Sequence, residues 1–167
     1  MIKLALQRTG FTLIEVLVSV AIVAMLATIV AVYLLPARTK GRDAKRKVDI
    51  SQIGRFLSAG CYMPDAGSGE YDMADLAGEL KVKYPDYGGY LSNLPYDPKT
   101  GDSIKTNYRY GVTTDGRKCA LYANLETDSE PITLPNLTAP APGGGNGVLA
   151  APAVGWNGTN KYFQFSN

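Results

Sequence analysis

There is no histidine among the 167 residues of this chain. That removes the side chain that most often ligates metals and moves protons near neutral pH, and with it every Ser-His or Cys-His pairing of nucleophilic catalysis. Only two cysteines occur, Cys61 and Cys119, far apart and in no metal-binding spacing, so nothing supports a zinc site. No phosphate-cradling glycine loop and no nucleophile–base pair stand out. These absences argue against an enzyme, and no cofactor, metal or small-molecule substrate is expected. A surplus of charge is also missing. Against 15 acidic residues stand 17 basic ones, and Lys3 and Arg8 near the N-terminus account for the difference. The rest of the chain is balanced, which gives no general case for nucleic-acid binding and leaves DNA an unsupported partner.

The chain does have one long apolar run, from Phe11 to Leu35. About 20 apolar residues suffice to cross a bilayer. The run carries a single carboxylate, Glu15, close to its start. A lone acid in a membrane span costs about 2.5–3.5 kcal/mol on insertion scales and marks a functional position. The residues before the run do not form an ordinary secretory signal, in which cleavage follows the apolar core. Here a segment with Lys3 and Arg8 ends at Gly10, and the apolar run comes after it. Cleavage between Gly10 and Phe11 leaves the hydrophobic segment on the mature protein.

Gly10-Phe11-Thr12-Leu13-Ile14-Glu15, followed by Val16-Leu17-Val18, resembles the class III signal of type IV pilins and of their relatives, the pseudopilins of type II secretion and competence systems. The resemblance implies an α+β type IV pilin fold: one long N-terminal helix, its first half transmembrane, packed on a small antiparallel β-sheet. It implies that a membrane-embedded prepilin peptidase cuts after Gly10 and that the new amine of Phe11 is methylated. It implies that Glu15 serves filament assembly by meeting the N-terminal amine of a neighbouring subunit. A buried polar pair of that kind sets register rather than adding stability. The partners implied are further copies of the chain in a helical homopolymer, the prepilin peptidase, the assembly platform with its ATPase, and the membrane. The location implied is the cytoplasmic membrane, N-terminus inside, then an extracellular filament. A charge count disagrees on orientation, because Arg38, Lys40, Arg42, Lys45, Arg46 and Lys47 follow the span.

Four segments result: a cleaved leader (1–10), a transmembrane and filament-core helix (11–35), an amphipathic second half of that helix (36–60) and a head (61–167). Ala44, Val48, Phe56 and Leu57, with Ile53 near them, form an apolar stripe at helical spacing. Asp43 and Lys47 stand four apart, as a supporting ion pair does. Pro36 is expected to kink the helix or split it in two. Gly41 and Gly54 each cost roughly 1 kcal/mol relative to Ala. The helix is expected to end near Gly60. The basic cluster from Arg38 to Lys47 has three readings: lipid phosphates, acids of adjacent subunits, or a solvated face.

Cys61 to Pro98 reads as a long surface connection with a short helix over Met73–Leu80, and Tyr84, Tyr87 and Tyr90 as residues packing on the sheet, a subunit contact being the alternative. The sheet is expected to start near Asn107. Tyr108, Tyr110 and Val112 alternate with polar or small residues, Thr114-Asp115-Gly116 supplies a turn, and Cys119, Leu121, Ala123 and Leu125 alternate in their turn, which predicts an antiparallel hairpin. Asp97, Asp102 and Ser103 offer too few oxygens for calcium and read better as a proline-fixed turn. With both cysteines on the oxidising side, a Cys61–Cys119 disulfide is expected, buried free thiols being the alternative. Residues 135–159 read as a flexible Pro/Gly-rich segment, and Lys161–Phe165 as a last strand. Asn136-Leu-Thr and Asn157-Gly-Thr match a glycosylation pattern too short to carry weight.

The function these readings favour is that of a pilin, the structural subunit of a type IV pilus, with the sequence not choosing between motility, adhesion, DNA uptake and secretion. A secretion or DNA-uptake pseudopilin is the alternative, and a membrane-anchored binding domain a more distant one.

Overall fold

The computed structural model describes residues 10–58 and 60–167, without the side chains of residues 56–58. The predicted leader charges Lys3 and Arg8, and the stripe positions Phe56 and Leu57, lie outside the described residues. The chain divides into two units, one ending at Arg38 and the other spanning Thr39–Asn167.

In the first unit the apolar run forms the N-terminal part of helix α1 (Leu13–Ser58). Its large apolar side chains, from Leu13 to Leu35, are exposed among the described residues. The helix passes through Pro36, and the two-helix alternative is not what forms. It ends at Ser58, beside the expected stop.

The second unit holds the remainder of α1, strand β1 (Gly69–Asp72), helix α2 (Met73–Lys83), a 3₁₀ turn (Pro85–Tyr87), the short helix α3 (Gly88–Ser92), and strands β2 (Arg109–Val112), β3 (Cys119–Asn124), β4 (Gly147–Ala150) and β5 (Lys161–Ser166). The sheet is antiparallel throughout, in the order β1-β2-β3-β5-β4. The predicted hairpin is β2–β3, with Val112 opposite Cys119. Its turn closes by a hydrogen bond from Gly116 N to Thr113 O, and Gly116 takes the left-handed conformation that glycine permits (φ 66°). β1 was not foreseen, so the sheet starts almost forty residues earlier than Asn107 suggests. It occupies an edge against β2, and Asp72 at its end caps α2 by accepting from Ala74 N.

One face of the sheet packs Tyr108, Tyr110, Val112, Leu121 and Ala123 against Ile50 and Ile53 of α1 and Met73, Leu76 and Leu80 of α2. The predicted helix stripe is corrected here. Ala44 and Val48 are exposed, Val48 by 52%, and of the predicted positions that are described only Ile53 faces the core. The buried face is Asp43, Arg46, Asp49, Ile50, Ile53 and Gly54, half of it charged. Gly54 is a packing site rather than a weakness: a Cβ there would lie 2.5 Å from Cδ1 of Phe165. Gly41 has open space around it. Tyr84 packs partly against the core, but Tyr87 and Tyr90 are exposed, because the 3₁₀ turn and α3 carry them outward.

The other face of the sheet is covered as well, which explains why every residue of β3 is buried. The Pro/Gly-rich segment expected to be flexible folds back over it. Gln164 Oε1 accepts from Ala141 N at 2.9 Å, and its Nε2 donates to Gly145 O at 2.8 Å. Trp156 meets Tyr162 edge-on at 5.6 Å, and Tyr162 meets Tyr122 at 6.2 Å. The segment's own strand, β4, pairs only with β5.

Candidate functional site

Three features could serve a filament: the start of α1, its apolar surface, and the attachment of the head to its second half. At the start, Gly10 and Phe11 are exposed, and no neighbour lies within 4 Å of a Cβ built on Gly10. Thr12 and Glu15 satisfy each other around the first turn. Thr12 N and Thr12 Oγ1 both donate to Glu15 Oε2 at 2.8 Å, and Glu15 N donates to Thr12 Oγ1 at 3.3 Å. This is a reciprocal capping box. Its Thr-x-x-Glu spacing is the sequence signal for the role of Thr12, a residue the sequence reading did not assign. The box supplies the Glu15 carboxylate with two donors from its own helix turn. The helix beyond it is long and apolar enough to cross a membrane.

In the basic cluster, Arg38, Lys40 and Lys45 are exposed, as on a solvated face, whereas Arg46 and Arg42 do something none of the three readings anticipated. Arg46 is completely buried, in the middle of three carboxylates. Its Nε and Nη2 reach Asp97 at 2.8 and 2.9 Å, and Nη1 reaches Asp43 and Glu126, each at 2.7 Å. Arg42 grips Glu126 with two bonds of 2.7 Å, and Lys99 lies 3.5 Å from the same carboxylate. Three cations thus face three anions, as burial of charge requires. Asp43 also accepts from the amides of Glu126 and Thr127, and Lys47 pairs with Glu130 instead of Asp43. Asp97 completes the junction by accepting from Asn157 Nδ2 and from the amides of Lys99 and Thr100. The guanidinium's bonds to carboxylates more than offset the burial that would lower its pKa, and push it up. Burial would raise Asp97, but its bonds from Arg46, Asn157 and the two amides hold it at about 2. Hydrogen bonding from Arg42, then from Arg46, holds Glu126 at about 2 against burial.

This junction ties α1 to the loop after Pro95 and to the segment after β3. The Asp97 turn is therefore built around a guanidinium, and Asp102 turns the chain separately by accepting from the amides of Ile104 and Lys105. Among the described residues no cluster of acids, cysteines or histidines fit for a metal occurs. Cys61 and Cys119 are joined in a disulfide across a separation of 58 residues, linking the end of α1 to β3. The two glycosylation-like asparagines differ. Asn136 is exposed in a turn, whereas the Asn157 side chain is consumed by Asp97, Asn124 and Thr100.

Comparison with known proteins bears on the first feature and on the head together. The prokaryotic N-terminal methylation motif matches residues 6–31. The type II secretion system core protein G of Vibrio cholerae serotype O1 is 34% identical over 104 residues, a stretch covering 58% of this chain and 68% of that protein. No solved structure matches significantly.

Proposed function

Since the chain belongs to the type IV pilin and pseudopilin family, we propose that it is a non-catalytic filament subunit, cut after Gly10, methylated on Phe11 and polymerised through α1. Its apolar helix anchors it in the cytoplasmic membrane, N-terminus inside, until assembly. The single observation that carries this reading is the helix itself. A run of large apolar side chains from Leu13 to Leu35, exposed among the described residues, must rest in lipid or against copies of itself. Assembly then transfers the rod from bilayer to bundle, and Glu15 is the group whose partner changes, from Thr12 within its own chain to the Phe11 amine of a neighbour.

Within the family, the similarity to a type II secretion core protein favours the pseudopilin, a short filament driving secretion across the envelope, over the surface pilus that the sequence reading put first. The pilus remains the second reading because the methylation motif serves both. The prepilin peptidase and an ATPase-driven platform are the partners this role requires. N-terminal mass spectrometry of the native polymer tests the proposal: a mature, methylated start at Phe11 supports it, and an uncut chain that stays monomeric in the membrane overturns it. Loss of secreted proteins on deletion, with no surface fibres in the wild type, selects the pseudopilin. Abundant surface fibres select the pilus.

A further inference from the structure

The head presents two complementary features on opposite sides of α1, and the geometry points to their joining one subunit to the next. Successive helix residues are about 100° apart, so Lys45 and Lys47 leave the helix about 200° apart, one at each rim of its buried face. On the Lys45 side lies a cavity of ≈ 430 Å³ between α1, α2 and the loop after α3. Leu91, Leu94 and Tyr96 wall it, Ser103 stands at one end, and Lys45 and Lys81 supply its charge. Lys45 is partly occupied, 3.4 Å from Asp49 and 6.0 Å from the centre of the Tyr96 ring. Lys81 has no ion-pair partner among the described residues.

On the Lys47 side the chain leaves β3 and runs through Asp128 to Ile132. This segment is held at its base by Asp43, which takes the amides of Glu126 and Thr127, and in its middle by the Lys47–Glu130 pair. Asp128, Pro131 and Ile132 are exposed, and Asp128 has no partner among the described residues. A rigid segment with an unpaired acid and an exposed isoleucine thus stands on one flank. A basic, partly apolar cavity of side-chain size stands on the other. Because the two patches differ and lie on opposite flanks, they cannot satisfy each other in a closed pair. A contact of this type repeats from copy to copy and, where the rotation does not close a ring, generates the helical polymer of the filament reading. The occupant of the cavity is the Asp128–Ile132 segment of a second copy, with Asp128 facing Lys81 and Ile132 against the leucines. Because the base of the segment is already fixed, little ordering cost opposes docking.

This inference rests on the filament reading. The test is a charge exchange in the full-length chain in its native host, reading the sheared polymer fraction. Lys81→Glu and Asp128→Lys, made singly, should each lower that fraction by roughly threefold or more, the effect of a modest ion pair. The double variant should recover most of it. Trp156 emission of each detergent-solubilised subunit should be unchanged, which separates docking from folding. Single variants that polymerise like the wild type, or a double variant no better than either single, overturn the docking and leave the filament reading intact. A wild-type chain that forms no polymer overturns both.

Discussion

Removing Arg46 should damage the head about as much as truncating a fully buried isoleucine of α1. Arg46→Met keeps much of the side chain's volume but leaves Asp43, Asp97 and Glu126 facing one another without the cation at their centre. Breaking a buried charge network by deleting one partner costs about 3–5 kcal/mol, against a total stability of about 5–15 kcal/mol for a domain. With a urea dependence of about 2 kcal/mol per molar, the midpoint should fall by about 2 M. The assay is urea unfolding of the full chain in mild detergent, followed by Trp156. It is the sole tryptophan of the chain and sits in the segment covering the sheet. The pH dependence adds a second check. Asp97 and Glu126 ordinarily titrate at 3.8 and 4.5 and are each held at about 2 in the fold. A depressed carboxylate pKa stabilises fully above the unfolded value and is lost as pH falls through the folded one. The two shifts correspond to about 2 and about 3 kcal/mol, not additive because both lean on Arg46. The gap between wild type and variant should therefore be widest near pH 7 and close between about pH 5 and pH 2. Adding Asp97→Asn to Arg46→Met removes one stranded charge while keeping an acceptor for Lys99 and Thr100, and should recover part of the loss. A variant within about 1 kcal/mol of wild type at pH 7, or a gap indifferent to acid, refutes the reasoning.

Glu15→Ala should leave membrane insertion intact and abolish polymer; normal fibre abundance in that variant would contradict a register role for the carboxylate. Gly54→Ala should destabilise the head by about 1–3 kcal/mol through overpacking against Phe165, whereas Gly41→Ala, in open space, should stabilise by about 0.5–1 kcal/mol, both read as shifts in the urea midpoint. Reducing or deleting the Cys61–Cys119 bond should cost about 4 kcal/mol from the entropy of a loop of 58 residues, so a midpoint unmoved by reductant would count against it.

The membrane helix and the β2–β3 hairpin were legible because their signals are local: an uninterrupted apolar run in one case, two alternating stretches around a Thr-Asp-Gly turn in the other. The disulfide was open to inference once both cysteines were placed on the oxidising side. The buried face of α1 was not legible. A search for apolar periodicity selects Ala44 and Val48, whereas the true face runs through Asp43 and Arg46, whose burial depends on acids at Asp97 and Glu126 far along the chain. β1 is short and flanked by Gly and Ser, so propensity says little about it. The Pro/Gly-rich segment looked idle because its ordering comes from one glutamine, two aromatics and the backbone of Thr133 and Leu134, which donate to Val148. Thr12 shows the opposite failure: a visible motif eclipsed by a louder neighbour.

The strand order has a bearing on how the head is made. β4 emerges from synthesis before β5, yet its only sheet neighbour is β5, and β5 is also what connects it to β3. A nascent chain halted after Ala150 would hold a three-stranded fragment with one flank bare and a fourth strand waiting for a seat. Closure of this sheet thus waits for residues 161–166, the strand that seats β4 beside β3.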